Sequence, residues 1–202
     1  MEKIVTMLQD ELLYKKYSNI GVLHLPKCLR IEMLYKSPFA TYEQRPYVCA
    51  APTECFKVQI SEIDNQSDFI TLKDGVLYSK DMNRLIFCWQ EKEYFSVPQS
   101  VKVIEPFAFC LQKNLRNIEL HNDIVSIGNA AFMGCEALEH IAIPRSVMEI
   151  KSDTFDGCIS LKNVELHDEI TQIGRHAFRH CDALQKIVLP RNLKYLNSFE
   201  CC

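Results

Sequence analysis

The sequence predicts an α/β repeat solenoid: a right-handed coil of short parallel strands with short helical or 3₁₀ returns and one β-hairpin insertion. Three observations carry that prediction. Phe109, Phe132, Phe155 and Phe178 recur every 23 residues, and other apolar columns keep step with them. Each repeat contains a segment such as "LEHIAI" or "LKNVEL", whose alternation suits a strand with one buried face. From Phe132 to Leu138 the apolar residues fall three apart, which suits a short helical or 3₁₀ return.

The columns are Cys135, Cys158 and Cys181; Leu115, Leu138, Leu161 and Leu184; and Ile118, Ile141, Val164 and Ile187. Leu120, Ile143, Leu166 and Leu189 follow, then Ile124, Val147, Ile170 and Leu193, then Ile127, Ile150, Ile173 and Leu196. A unit this short cannot bury its own apolar side, so each coil must stack on the next. Within the cysteine column the first coil carries Gln112, and the thiols are expected to pack as small hydrophobes. A longer period of 46 residues overlies the short one: "NIELHNDIVSIGNAAF" from Asn117 parallels "NVELHDEITQIGRHAF" from Asn163. Duplication of a two-coil unit accounts for His121 and His167 without a site.

Ahead of the regular coils, Asp74-Gly75 is a turn signal, and Val76-Leu77-Tyr78 and Arg84-Leu85-Ile86-Phe87 flank a polar turn. A hairpin is expected near 74–87, with regular coils from about 97. Residues 1–55 carry a weaker signal. Ile4, Val5, Leu8 and Leu12 stripe a helix ending near Tyr17, "VLHLPKCLRI" reads as a degenerate coil, and "YKSPFATYEQRPYVCAAPTE" reads as loop. The expected division is a capping segment over 1–55 and a repeat domain over 56–202.

A net charge of -3 without any Lys/Arg block argues against nucleic acid as a partner. No apolar run reaches the roughly 18 residues that span a bilayer. Gln9, Asp10 and Glu11 interrupt the start, so no signal peptide is read, and a cytoplasmic protein is expected. Ten cysteines in a chain without a secretory leader are expected as thiols.

Catalytic, metal and cofactor-binding residues are all predicted as none. His176, His180 and Cys181 sit close in sequence, but His176 shares a column with Ala130 and Asp153, and a closed zinc site needs four convergent ligands. His24 and Cys28 lack an orienting third group. No phosphate loop, serine elbow or paired-carboxylate motif occurs. The outward positions of the strands instead form a candidate interaction face. It comprises Asn117, Glu119 and His121; His140 and Ala142; Asn163, Glu165 and His167; and Lys186 and Val188.

The pattern A/T-F-x-x-C-x-x-L-x-x-I-x-L, continued by V/I-x-x-I-G and preceded by "DGVLYSKD", resembles the BspA-like leucine-rich repeats. The resemblance implies a leucine-rich-repeat coil and adhesion-type binding, at a cell surface or after secretion, to extracellular-matrix proteins or other cells. The expected function is a non-catalytic interaction module for a protein or glycan. The rivals are an enzyme or metal-dependent protein built on the N-terminal segment, and a self-assembling repeat fragment. "NSFECC" supplies no polar capping coil, which leaves a homodimer through that end, or a truncated reading frame, open.

Overall fold

The computed structural model describes the strands at 19–25 and 59–65 and the segments 68–88 and 91–196. The expected helix near the N-terminus, the proline-containing loop, Cys28 and the C-terminal "NSFECC" lie outside the described residues, as does the side chain of His24. Contacts divide the chain into two compact units, Met1–Leu72 and Lys73–Cys202. In the first, β1 (Asn19–Leu25) pairs in parallel with β2 (Gln59–Asn65), Asn19 opposite Gln59 and Leu25 opposite Asn65. β3 (Ile70–Lys73) crosses the boundary.

The second unit opens with the expected hairpin. β4 (Val76–Ser79) runs antiparallel to β5 (Arg84–Cys88), with Val76 opposite Cys88 and a bulge between Leu77 and Tyr78. Its turn is held by side chains that mimic backbone partners. The Ser79 hydroxyl donates to Asp81 at 2.5 Å, the Asn83 amide donates to the same carboxylate at 3.2 Å, and Met82 takes φ 60. Those hydrogen bonds, that of Ser79 foremost, hold the Asp81 carboxyl below its ordinary range. β5 pairs in parallel with the first coil, and Arg84 grips the buried Glu105 of that coil.

Counting coils from Glu93, Arg116, Glu139 and Lys162, each contributes a strand to two ladders. β6 (Tyr94–Ser96), β8 (Asn117–Glu119), β10 (His140–Ala142) and β12 (Asn163–Glu165) form one continuous parallel sheet. Every strand buries its central residue and exposes the two flanking ones, as the alternation predicts. On the second side, β7 (Val103–Ile104) and β9 (Ser126–Ile127) join the hairpin sheet, while β11 (Glu149–Ile150), β13 (Gln172–Ile173) and β14 (Tyr195–Leu196) form a separate one. Lys151 Nζ reaches Ser126 Oγ at 3.2 Å across that division.

The returns correct the expectation of a helical segment. Among the described residues there is no helix, so the described repeat region is a β-solenoid of about five turns with parallel sheets, built without helical returns. Along the return the amides alternate in direction. Met133 and Cys135 donate to Ala130 and Phe132 within their own turn, at 3.2 and 3.1 Å. Ala130, Phe132 and Gly134 donate instead to Ser152, Thr154 and Asp156 of the next coil, at 3.0, 2.9 and 2.7 Å. A helix would consume all these donors internally, whereas a chain of tight turns gives half of them to the neighbour. Left-handed residues four apart reset each turn: Ala130 has φ 52 and Gly134 φ 70, repeated by Asp153 at 54 and Gly157 at 75.

The core lies between these edges. Phe109, Phe132, Phe155 and Phe178 are fully buried and stack with centroids 5.4 to 5.5 Å apart and planes within 10° of parallel. Phe95 closes the near end edge-on to Phe109. The cysteine column runs beside them: the thiols of Cys135, Cys158 and Cys181 donate to the carbonyls of Phe109, Phe132 and Phe155 at 3.1, 3.2 and 3.2 Å. Burial pushes the Cys135 and Cys158 thiols well above their ordinary range, which keeps them protonated and poorly nucleophilic. Gln112 fits the same column by donating to the Cys88 carbonyl at 2.9 Å.

Candidate interaction face

The residues flanking each buried strand centre form two outward rows on the β6–β8–β10–β12 sheet. One row is Tyr94, Asn117, His140 and Asn163; the other is Ser96, Glu119, Ala142 and Glu165. Parallel pairing puts like positions side by side, Tyr94 opposite Asn117 and His140 opposite both Asn117 and Asn163. Stacked strands lie about 4.8 Å apart, so the two glutamates, two coils apart, are about 10 Å from each other.

The face is knit together by side chains. The Glu119 carboxylate near the Tyr94 hydroxyl raises the Tyr94 pKa above its ordinary value. Asn163 Nδ2 lies 3.2 Å from His140 Nδ1, and His140 Nε2 lies 3.6 Å from Glu165. One residue before each strand runs a row of alternating charge, in which Glu139 sits between Arg116 at 3.8 Å and Lys162 at 2.7 Å. The hydrogen bond and charge of Lys162 hold the Glu139 carboxyl below its ordinary range.

Of the residues read from sequence, Asn117, Glu119, His140, Ala142, Asn163 and Glu165 come together on this face. His121 and His167 do not stand out on it. They follow their strands, are partly buried, and bring Nε2 to the Pro98 and Pro144 carbonyls of the preceding coils at 3.0 and 2.9 Å. Lys186 and Val188 are exposed, but their segment forms no strand and β12 is the last member of the sheet. Tyr94 and Ser96 join the face although the sequence reading leaves them out. Their signal is the spacing itself, since they lie 23 residues before Asn117 and Glu119.

The three residues of the rejected zinc grouping go to different surroundings. His176 pairs with Asp153, His180 is exposed, and Cys181 is buried against the Phe155 carbonyl. Among the described residues no three His, Cys, Asp or Glu side chains are grouped to hold a metal, and no helix is long and apolar enough to cross a membrane.

The chain resembles several solved structures. The T. pallidum leucine rich repeat protein superposes with a TM-score of 0.56 at 24% identity, over 62% of this chain and 63% of that one. The pneumococcal vaccine antigen PcpA gives 0.65 at 22%, over 88% and 42%. A leucine rich cell surface protein from Faecalibacterium prausnitzii A2-165 gives 0.50 at 28%, over 72% and 44%. The first two likenesses are of fold, and the chain spans less than two thirds of the length of each of the three. No curated protein matches the sequence. Residues 80–202, more than half of the chain, match the BspA type leucine rich repeat region in six copies. The chain is therefore a member of the BspA-type leucine-rich-repeat family.

Proposed function

We propose that the protein is a non-catalytic binding module that takes a protein or glycan ligand on the β6–β8–β10–β12 face, in an adhesion-type role at a cell surface. The observation that carries this reading is the face itself. It is a continuous stack of outward side chains on rigid backbone, with an aromatic ring, amides, carboxylates and an imidazole, and none of them is needed to fill the core. Residues held on stacked strands present a fixed pattern to a partner and lose little freedom on binding. The surface setting is supported by the Faecalibacterium prausnitzii relative, described as a leucine rich cell surface protein.

The test is binding of the full chain to a panel of immobilised extracellular-matrix proteins and oligosaccharides, alongside Glu119→Lys/Glu165→Lys. Reversing two charges on one row changes the field that a partner meets without touching the core. The expected result is at least a tenfold loss for ligands that bind the wild type, with the thermal midpoint unchanged. Equal binding by both proteins would remove this face from the interaction.

A further inference from the structure

In two columns of the return edge the third and fourth coils carry acidic or basic side chains where the first two coils carry none. The column of Phe107 and Ala130 continues as Asp153 and His176, and that of Cys110 and Met133 continues as Asp156 and Arg179. Asp156 and Arg179 form a two-pronged pair at 2.5 and 3.1 Å. Asp153 is less well provided for. Only 4% of it is exposed, its Oδ1 lies 3.5 Å from His176 Nδ1, and its buried Oδ2 accepts no hydrogen bond. A carboxylate desolvated on one oxygen is costly, and this one lies at a contact that backbone bonds already hold tight: Asp153 and Phe155 donate to Arg175 and Ala177 at 2.9 Å each.

We propose that Asp153 is a proton-operated clamp between the third and fourth coils. It takes up a proton as the surroundings turn mildly acidic, and its neutral form holds the coil of His176 more firmly than its carboxylate does. The charged groups around it decide where the proton goes. His176, whose Nε2 accepts from Arg175 Nε at 3.3 Å, faces Asp153 through Nδ1 and pulls the Asp153 pKa down. Asp156 repels a second carboxylate, and Arg179, already engaged by Asp156, offsets this only in part. Burial, with Asp156 next, pushes the Asp153 carboxyl up to about 6. A group whose folded pKa is raised contributes stability that is complete below its unfolded value and is lost as pH rises through the folded one. The window therefore runs from about 4 to 6, and the clamp tightens on acidification.

Thermal unfolding of the full chain at pH 7.5 and 5.5 reads the effect. The wild type should gain about 2 °C at the lower pH. Asp153→Asn, which imitates the neutral acid, should melt higher than wild type at pH 7.5 and gain little on acidification. A variant that keeps the whole wild-type increment overturns the proposal, because the increment then belongs to other groups. Asp153→Ala serves equally, since Ala130 occupies the same column at φ 52. Carbon-detected titration of the wild-type carboxyls needs no variant. A midpoint near 6 for Asp153 supports the clamp, and one in the ordinary range near ~4 overturns it.

Discussion

Neighbouring coils share one core but are not alike. The first and third begin with Glu93 and Glu139 and place Pro98 and Pro144 after the strand; the second and fourth begin with Arg116 and Lys162 and place His121 and His167 there. The differences fit one coil to the next. Glu139 is flanked by two cations, and each histidine ring binds the proline carbonyl of the coil before it. Gly128 and Gly174 of the even coils donate their amides to Ile104 and Ile150 of the odd ones. The 23-residue columns thus fill every coil with the same core, and the 46-residue period makes adjacent coils complementary. In a solenoid, where stability is a sum of coil and contact terms, these are separable roles.

The shared columns should give the largest effect. Phe155→Ala removes a ring stacked on both Phe132 and Phe178 and should destabilise by about 3–5 kcal/mol. Chemical denaturation with an unchanged m-value would measure it, and a loss below about 1 kcal/mol would show that the stack is not the core.

Next comes the close approach at the even-coil glycines. A Cβ on Gly174 would meet Ser152 N at 2.6 Å, which is backbone and cannot step aside. Gly157 has room, with nothing nearer than 3.6 Å, but sits at φ 75. Gly174→Ala should therefore cost more than Gly157→Ala, about 2–3 kcal/mol against about 1. A reversed order in paired melts would locate the tight contact elsewhere.

This contrast also shows what the sequence could reveal. The apolar columns are legible because large side chains at a fixed spacing have few other uses, and the hairpin is legible because Asp74-Gly75 and a polar turn separate two apolar runs. The return reads ambiguously because Phe132, Cys135 and Leu138 fit a 3₁₀ turn as well as a chain of tight turns. What decides between them is the set of bonds from Ala130, Phe132 and Gly134 to the next coil, which no local pattern displays. On the candidate face, Asn117, Glu119, Asn163 and Glu165 follow from strand alternation. His121 and His167 escape it, because their partners are backbone carbonyls 23 residues away. Asp153 and His176 share a column in the sequence, yet the buried, unbonded Oδ2 is visible only once the coils are stacked.

The histidine link should matter less than the glycine contact. His167→Ala leaves the Pro144 carbonyl without its ring partner and should cost about 1–2 kcal/mol. His121→Ala should cost somewhat more, since His121 Nδ1 also accepts from the Asp123 amide at 3.3 Å whereas the buried His167 Nδ1 has no partner. A larger loss at His167 would mean that the proline-carbonyl contact is not the shared element of the two sites.

The charge row should give the smallest effect and the one most dependent on salt. Glu139 and Lys162 are exposed, so water and ions screen them. Lys162→Glu sets a second carboxylate beside Glu139 and removes the hydrogen bond and charge that lower its pKa. Stability from a depressed carboxyl is present above its unfolded value and is lost as pH falls through the folded one. The variant should therefore lose stability at neutral pH and approach the wild type in acid. Melts at low and high salt give the second check, because the gap should narrow as screening increases. The charge-swapped pair Glu139→Lys/Lys162→Glu separates a simple ion pair from a row. The introduced cation would face the introduced carboxylate favourably but Arg116 unfavourably, so the swap should recover only part of the loss. Full recovery would reduce the row to a single pair, and the complementarity of the coils would then rest on the histidine and glycine contacts alone.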